Sequence, residues 1–314
     1  MTDNPAAYGD YFADPFVLRL DDGYVAVGTG AITTDRVFSV LSSPDLEQWN
    51  LEGAALERLP AQVGDEYWAP EIAMSGGRYW MYYSVGHGIS GHHLRVASAD
   101  APYGPYLDHG LNLTPDEIFA IDPHPFLDAD GRWYLYFARD VLEDPRPGTQ
   151  LAVAPLEGMI SLAEAVPALA PYANWQLYES RREMYGSVFE WHTLEGPSVV
   201  HRHGRYWMTF SGGAWTGEGY GVAWAVADSP LGPWVPASSA DALLLRSTPD
   251  GYRGPGHNSL SVAPDGRDVI VFHAWNDDLT VRRMYVHEIE FTKTGPRVGG
   301  PYRRQGSSGL PSRS

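Results

Sequence analysis

The sequence predicts an all-β chain folded as a five-bladed β-propeller, with four-stranded antiparallel blades around a central axial pocket. Three observations predict it. A cassette of polar tag, glycine and hydrophobic run occurs five times. The cassette glycines, Gly23, Gly77, Gly131, Gly204 and Gly266, stand 54, 54, 73 and 62 residues apart, uneven as loops of different length between blades would make them. A second motif repeats: Ala99-Asp100-Ala101-Pro102-Tyr103-Gly104-Pro105-Tyr106 matches Ala227-Asp228-Ser229-Pro230-Leu231-Gly232-Pro233-Trp234, with a weaker copy at 42–49.

In chain order, the runs after the glycines cover 24–27, 79–83, 133–137, 206–210 and 269–272, and aromatic and β-branched residues dominate them. That composition suits a pleated, half-buried strand. Gly, Asp and Asn ahead of the runs supply hairpin turns, as in Asp21-Asp22-Gly23. Further strands follow at 94–98, 151–154 and 221–227, and the second motif ends such a strand and leads to an outer fourth one. The stretch 159–168 reads as a short helix, limited by Pro167 and Pro171. Nothing marks a linker, so residues 1–300 are expected to form one propeller domain and the polar residues 301–314 a flexible tail.

Composition narrows the class. Of 314 residues, 44% are hydrophobic, enough for a full core, and 19% are charged, too few to suggest disorder. The net charge of −17 argues against nucleic acid and against an anionic membrane, and favours a neutral substrate. With no cysteine, disulfides, thiolate metal sites and cysteine nucleophiles are excluded. No basic-then-apolar leader and no long apolar run is visible, so a cytoplasmic protein is expected as written, or a secreted one if a leader has been removed. The oligomeric state is left open.

The tags carry the chemistry. They are Ala13-Asp14-Pro15, Trp68-Ala69-Pro70-Glu71, Ile121-Asp122-Pro123, Glu195-Gly196-Pro197 and Gly256-His257-Asn258. Asp14, Asp122, Glu195 and His257 each lie nine residues before their cassette glycine, as does Trp68, whereas Glu71 lies six before Gly77. In a closed ring, equivalent positions face one centre. Three carboxylates and a histidine are therefore expected to converge, while Glu71 is expected to hydrogen-bond a neighbouring blade or loop. A buried cluster of carboxylates works against folding, since burial and like charge both disfavour ionisation. Its repeated placement points to catalysis. Glycoside hydrolysis needs such a set: one carboxyl that keeps its proton, one that stays ionised, and a third that holds their pKa values apart.

Other residues have weaker claims. Trp68 suits packing and sugar stacking equally. His192 precedes Glu195 and is expected to line the pocket; Trp215 and Trp275 follow strand ends and could serve as sugar platforms, although burial is the commoner fate of Trp. His87, His92 and His93 flank a glycine-rich loop, 86–91, that lacks a fourth ligand for zinc and reads as a pocket wall or a solvent-facing loop.

These tags, together with Tyr11-Phe12-Ala13-Asp14-Pro15 and Ile121-Asp122-Pro123-His124-Pro125-Phe126, resemble those of glycoside hydrolase family 43, the five-bladed propeller glycosidases, over 14–291. The resemblance implies that Asp14 is the general base activating water, Glu195 the general acid, and Asp122 the residue that tunes and orients the acid. It implies inversion of configuration, with base and acid about 6.5–9.5 Å apart. It implies that Trp68 lines the sugar pocket and that a late arginine, Arg283 with Arg282 as the alternative, contacts the tuning carboxylate and substrate. No cofactor is required. His257 matches a central histidine that touches calcium, another cation or ordered waters at the axis, and waters would have to complete the shell of so poor a ligand set. The fructan-cleaving relatives carry Arg-Asp-Pro and Glu-Cys tags, whereas here Ile121 precedes Asp122 and Gly196 follows Glu195. The expected activity is release of L-arabinofuranose from neutral arabinose-containing oligosaccharides. A β-D-xylosidase acting on xylose-containing ones and a non-catalytic carbohydrate-binding propeller are the alternatives.

Overall fold

The computed structural model describes residues 5–31, 33–237 and 243–304. Its strands form five blades in chain order. Blade one is β1 (Ala13–Leu20), β2 (Gly23–Ala31), β3 (Arg36–Ser43) and β4 (Asn50–Glu57). Blade two is β5 (Glu66–Ser75), β6 (Arg78–His87), β7 (Ser90–Ala99) and β8 (Leu107–Asn112). Blade three is β9 (Ala120–Leu127), β10 (Trp133–Val141) and β11 (Gly148–Glu157), edged by β12 (Ser161–Leu162) and β13 (Val166–Leu169). Blade four opens with a hairpin strand, β14 (Leu177–Met184), and continues through β15 (Ser187–Arg202), β16 (Arg205–Gly212), β17 (Gly221–Ala227), β18 (Val235–Pro236) and β19 (Leu245–Arg246). Blade five is β20 (Arg253–Val262), β21 (Asp268–Trp275), β22 (Arg282–Thr292) and β23 (Gly295–Pro301). Among the described residues no helix is long and apolar enough to cross a membrane.

The core lies between blades. Phe16, Val27, Met81 and Tyr83 fill the space between blades one and two, and Tyr82, Leu94, Leu135 and Phe137 that between two and three. Tyr136, Leu194 and Phe210 join three to four, Trp207, Val222, Ile270 and Phe272 four to five, and Phe12, Val17, Val271 and Met284 five to one. Each blade buries both faces, which is why the strands read as continuous apolar runs rather than alternating ones. Closure depends on the N-terminal segment. The Ala7 and Phe12 amides donate to the Met284 and Arg282 carbonyls (2.8 and 2.9 Å), so the segment covers the part of β22 that β23 does not reach.

Two expectations are corrected. The stretch 159–168 is no helix: β12 and β13 pair with β11 on the outer edge of blade three, and Pro167 sits there without a helical amide to lose. Of the stretch expected as a flexible tail, 301–314, its first residues belong to blade five, because Pro301 ends β23 and buried Tyr302 donates its amide to the Val286 carbonyl. Residues 305–314 lie outside the described residues.

All five innermost strands break register at an equivalent position, between Ala13 and Phe16, Trp68 and Glu71, Ile121 and His124, Glu195 and Ser198, and Gly256 and Ser259, and β20 has a second break between Arg253 and Gly256. The first residue of each break is left-handed: Asp14 (φ 50°), Ala69 (47°), Asp122 (58°), Gly196 (56°) and His257 (43°). Proline follows in four of the five, and a bulge tolerates it because the ladder is already interrupted there. Neighbouring blades hold the breaks. Asp14 N–H donates to His273 Nδ1 (3.0 Å), Ala69 N–H to Thr29 Oγ1 (2.8 Å), Gly196 N–H to Asp122 Oδ2 (2.9 Å) and His257 N–H to Ser211 Oγ (2.7 Å).

Candidate active site

The breaks turn side chains into one axial cavity of about 440 Å³. Asp14, Asp122 and His257 line it from left-handed positions, and Trp68, Ile121 and Glu195 from the positions just before. The nine-residue spacing therefore mixes two ranks. In β15–β16 and β5–β6 the cassette glycine sits in a two-residue turn, so the break is eight residues away and Glu195 and Trp68 precede it by one.

Asp14, Asp122 and His257 are all under 10% exposed. Asp14 Oδ1 lies 3.3 Å from Arg282 NH1, 3.3 Å from His273 Nδ1 and 3.4 Å from His257 Nδ1. Burial would raise its pKa, but His257 and Arg282 overcome that and hold it well below the usual range. Burial pushes His273 down to about 4. It is therefore neutral near pH 7, so its Nδ1 accepts the Asp14 amide and Arg282 supplies the fixed positive charge. Asp122 goes the other way, raised by burial and by the negative charges of Glu195 and Asp14. Glu195 is pushed up to about 7, by burial first and by Asp14, against the opposing hydrogen bond from Tyr220 Oη (2.6 Å). Asp122 also grips the backbone beside Glu195, accepting from the Gly196 amide.

Arg282 is caged. Its guanidinium carbon lies 4.8 Å from the Trp215 ring, 5.5 Å from Trp275 and 5.6 Å from Tyr11, whose hydroxyl accepts from NH2 (2.8 Å). Arg283, the first sequence choice, is corrected: it does not line the cavity, because adjacent strand residues face opposite sides. Arg282 also meets Asp14 rather than Asp122. His192 is likewise corrected. It is buried behind the wall, with Nε2 3.3 Å from Arg146 NH1 and Nδ1 3.2 Å from the Glu190 carbonyl.

Trp68 and Trp215 line the cavity as expected. Trp68 stacks on His92 (centroids 3.6 Å apart), and Trp215 on Trp275 (6.2 Å). Gly88 and Ile89 make the glycine-rich loop a pocket wall. Its histidines diverge: His92 Nε2 meets the Gly88 carbonyl (2.9 Å), His93 Nδ1 meets the Thr114 carbonyl (2.8 Å) and His87 faces Asp65. Among the described residues no group of three or more His, Asp or Glu side chains could hold a metal ion, and His257 turns its Nδ1 to Asp14 (3.4 Å) and Asp122 (3.9 Å). Glu71 bridges blades as expected: His124 Nε2 accepts the Val199 amide (3.0 Å), leaving Nδ1–H to donate to Glu71 (2.7 Å).

Sequence reasoning missed Tyr220, which sits in an irregular loop outside every repeat. It also missed the wall formed by β14, which brings Tyr178, Arg182 and Met184 to the cavity. The only sign of that strand was the long step of 73 residues between Gly131 and Gly204.

A family model described as "Glycosyl hydrolases family 43" matches residues 2–296. The chain is 30% identical to Beta-D-galactofuranosidase xynD of Aspergillus niger, over 91% of this chain and 82% of that one. It is 25% identical to an extracellular exo-alpha-(1->5)-L-arabinofuranosidase of Streptomyces avermitilis, covering 84% of this chain and 54%, about half, of that protein's length. Among solved structures, a thermostable family-43 glycoside hydrolase superposes with a TM-score of 0.82 at 29% identity, covering 96% of this chain and 97% of the other.

Proposed function

Because this chain belongs to glycoside hydrolase family 43, and so is a glycosidase with a carbohydrate substrate, we propose that it releases L-arabinofuranose from α-L-arabinofuranosides with inversion, using Asp14 as base and Glu195 as acid. One observation carries the assignment of roles: two carboxyl groups in one cavity are driven to opposite protonation states, Asp14 well below the usual range and Glu195 to about 7. An inverting glycosidase needs that split. Ionised Asp14 takes a proton from water as its oxygen attacks the anomeric carbon. Glu195 gives its proton to the glycosidic oxygen as the C–O bond breaks. Asp122 holds the acid in position through the Gly196 amide, while burial and the charge of Glu195 raise its own carboxyl. Both protons then re-equilibrate with solvent.

The furanose preference is supported by the relatives' names. α-L-Arabinofuranose and β-D-galactofuranose share ring stereochemistry and differ in the exocyclic arm, so relatives named for either sugar point to one ring shape. A relative from Bacteroides ovatus is named xylosidase/arabinosidase, which keeps β-D-xylosides in the test.

Nitrophenyl α-L-arabinofuranoside, β-D-galactofuranoside and β-D-xyloside, compared for kcat/KM with proton NMR of the first product anomer, test the reading. The arabinofuranoside should be preferred and the product inverted; a retained anomer or a dominant xyloside would overturn it. Glu195→Ala should cost roughly 10²–10⁴-fold on an oligosaccharide and far less on the nitrophenyl glycoside, whose leaving group needs little protonation. Asp14→Ala should abolish both.

A further inference from the structure

The strand β14 lies outside the five-cassette pattern, yet it forms part of the cavity wall. It is fastened there from two sides. β11 and β15 pair in parallel at Gly148–His192 and Thr149–Thr193. At the hairpin tip, Tyr185 Oη donates to Asp140 Oδ2 (2.7 Å), and Thr149 Oγ1 donates to the other oxygen (2.9 Å). Asp140, 6% exposed, thus anchors the hairpin to blade three.

On this fastened strand Arg182 lines the cavity with its guanidinium carbon 4.6 Å from the Tyr178 ring centroid and 5.2 Å from that of Trp191. Trp191 is fully buried, so the arginine rests on a fixed platform. Among the described residues its guanidinium makes no hydrogen bond or ion pair, unlike Arg282, which is bound to Asp14 and Tyr11. A half-buried, pre-oriented fork of N–H donors facing a substrate cavity, with nothing in the protein to satisfy it, is built for a ligand. Its ligand is a neutral one: five carboxylates, Asp14, Glu66, Asp122, Asp140 and Glu195, line the same cavity and oppose an anion.

We propose that Arg182 is a specificity-determining residue that hydrogen-bonds adjacent hydroxyls of the sugar on the leaving-group side of the scissile bond. The proposal rests on the glycosidase reading above and adds to it the chemistry of the second subsite. Arg182 is also close enough to Glu195 to oppose its raised pKa. The test must therefore separate recognition of the leaving sugar from tuning of the acid.

The measurement is the ratio of kcat/KM for α-1,5-arabinobiose to that for nitrophenyl α-L-arabinofuranoside. The two share the cleaved sugar and differ in the leaving group, which is hydroxylated and needs protonation in the first and is hydroxyl-free and needs little in the second. In Arg182→Met the ratio should fall roughly 10- to 100-fold, as expected for losing a charge-assisted pair of bonds. Arg182→Lys keeps the charge and lacks the fork. It should keep the wild-type alkaline pH limb yet still show a lowered ratio. The ratio is internal to each variant, so partial misfolding does not mimic the effect. If the ratio in Arg182→Met stays within twofold of wild type while both substrates are cleaved, the inference fails and the proposed function stands. A lowered ratio with a displaced pH limb in Arg182→Met, both restored to wild type in Arg182→Lys, would make Arg182 a tuner of Glu195 and also end the inference. Wild-type protein inert on both substrates would overturn both readings.

Discussion

Asp14 faces a guanidinium, whereas Glu195 faces a phenol, and that difference sets the working pH. The proposed reaction needs Asp14 ionised and Glu195 protonated. Activity should therefore fall through an alkaline limb near pH 7, where Glu195 loses its proton. Tyr220 donates to the Glu195 carboxylate and so favours the ionised form. In Tyr220→Phe the limb should move to higher pH, by up to about one unit, in a profile of kcat/KM. Arg282→Met acts on the other group. Without the guanidinium, burial raises Asp14, and the acid limb should climb by roughly 1–3 units. At this scale the sequence was most legible where chemistry and backbone punctuation coincide: Asp14 and Asp122 are each followed by proline, and Glu195 by Gly-Pro. Two facts were not legible. Which of two adjacent arginines faces inward depends on strand parity, which a bulge upstream or a turn of unknown length can reverse. Tyr220 reaches Glu195 from a loop with no periodic signal.

Among the elements, the broken inner strand is the unit that builds the site. A left-handed residue, followed by proline in four of the five blades, aims its own side chain or the one before it into the axis, and side chains of neighbouring blades hold four of the freed amides. The repeat was visible in sequence because the tag recurs. The one-residue offset of Glu195 was hidden because the cassette glycine occupies different places in different turns. The β14–β15 hairpin was invisible because its fastening is long-range. Gly148 is its pivot: it has φ 153°, and a Cβ there would lie 1.8 Å from the His192 carbonyl oxygen. Gly148→Ala should destabilise by roughly 1–3 kcal/mol in denaturant titration, since both strain and overlap must be relieved, and should loosen the wall that carries Arg182.

For the whole molecule, five interblade clusters and one closing segment hold the ring. The five-blade count was legible from the cassettes, while the means of closure was not, since residues 7–12 carry no strand pattern of their own. Removing residues 1–9 would delete the Ala7–Met284 bond and the packing of Tyr8 on Phe12 while sparing Tyr11 and Asp14. The melting temperature should fall by roughly 2–6 °C, with activity at low temperature largely kept.

Asp14 comes from the first blade, and the Arg282 that keeps it charged and the His273 that accepts its amide come from the last. During synthesis the proposed base therefore emerges 268 residues ahead of Arg282 and is unsupported until blade five follows. Ribosome-stalled or C-terminally clipped products should be hydrolytically silent even when most of their β-structure has formed.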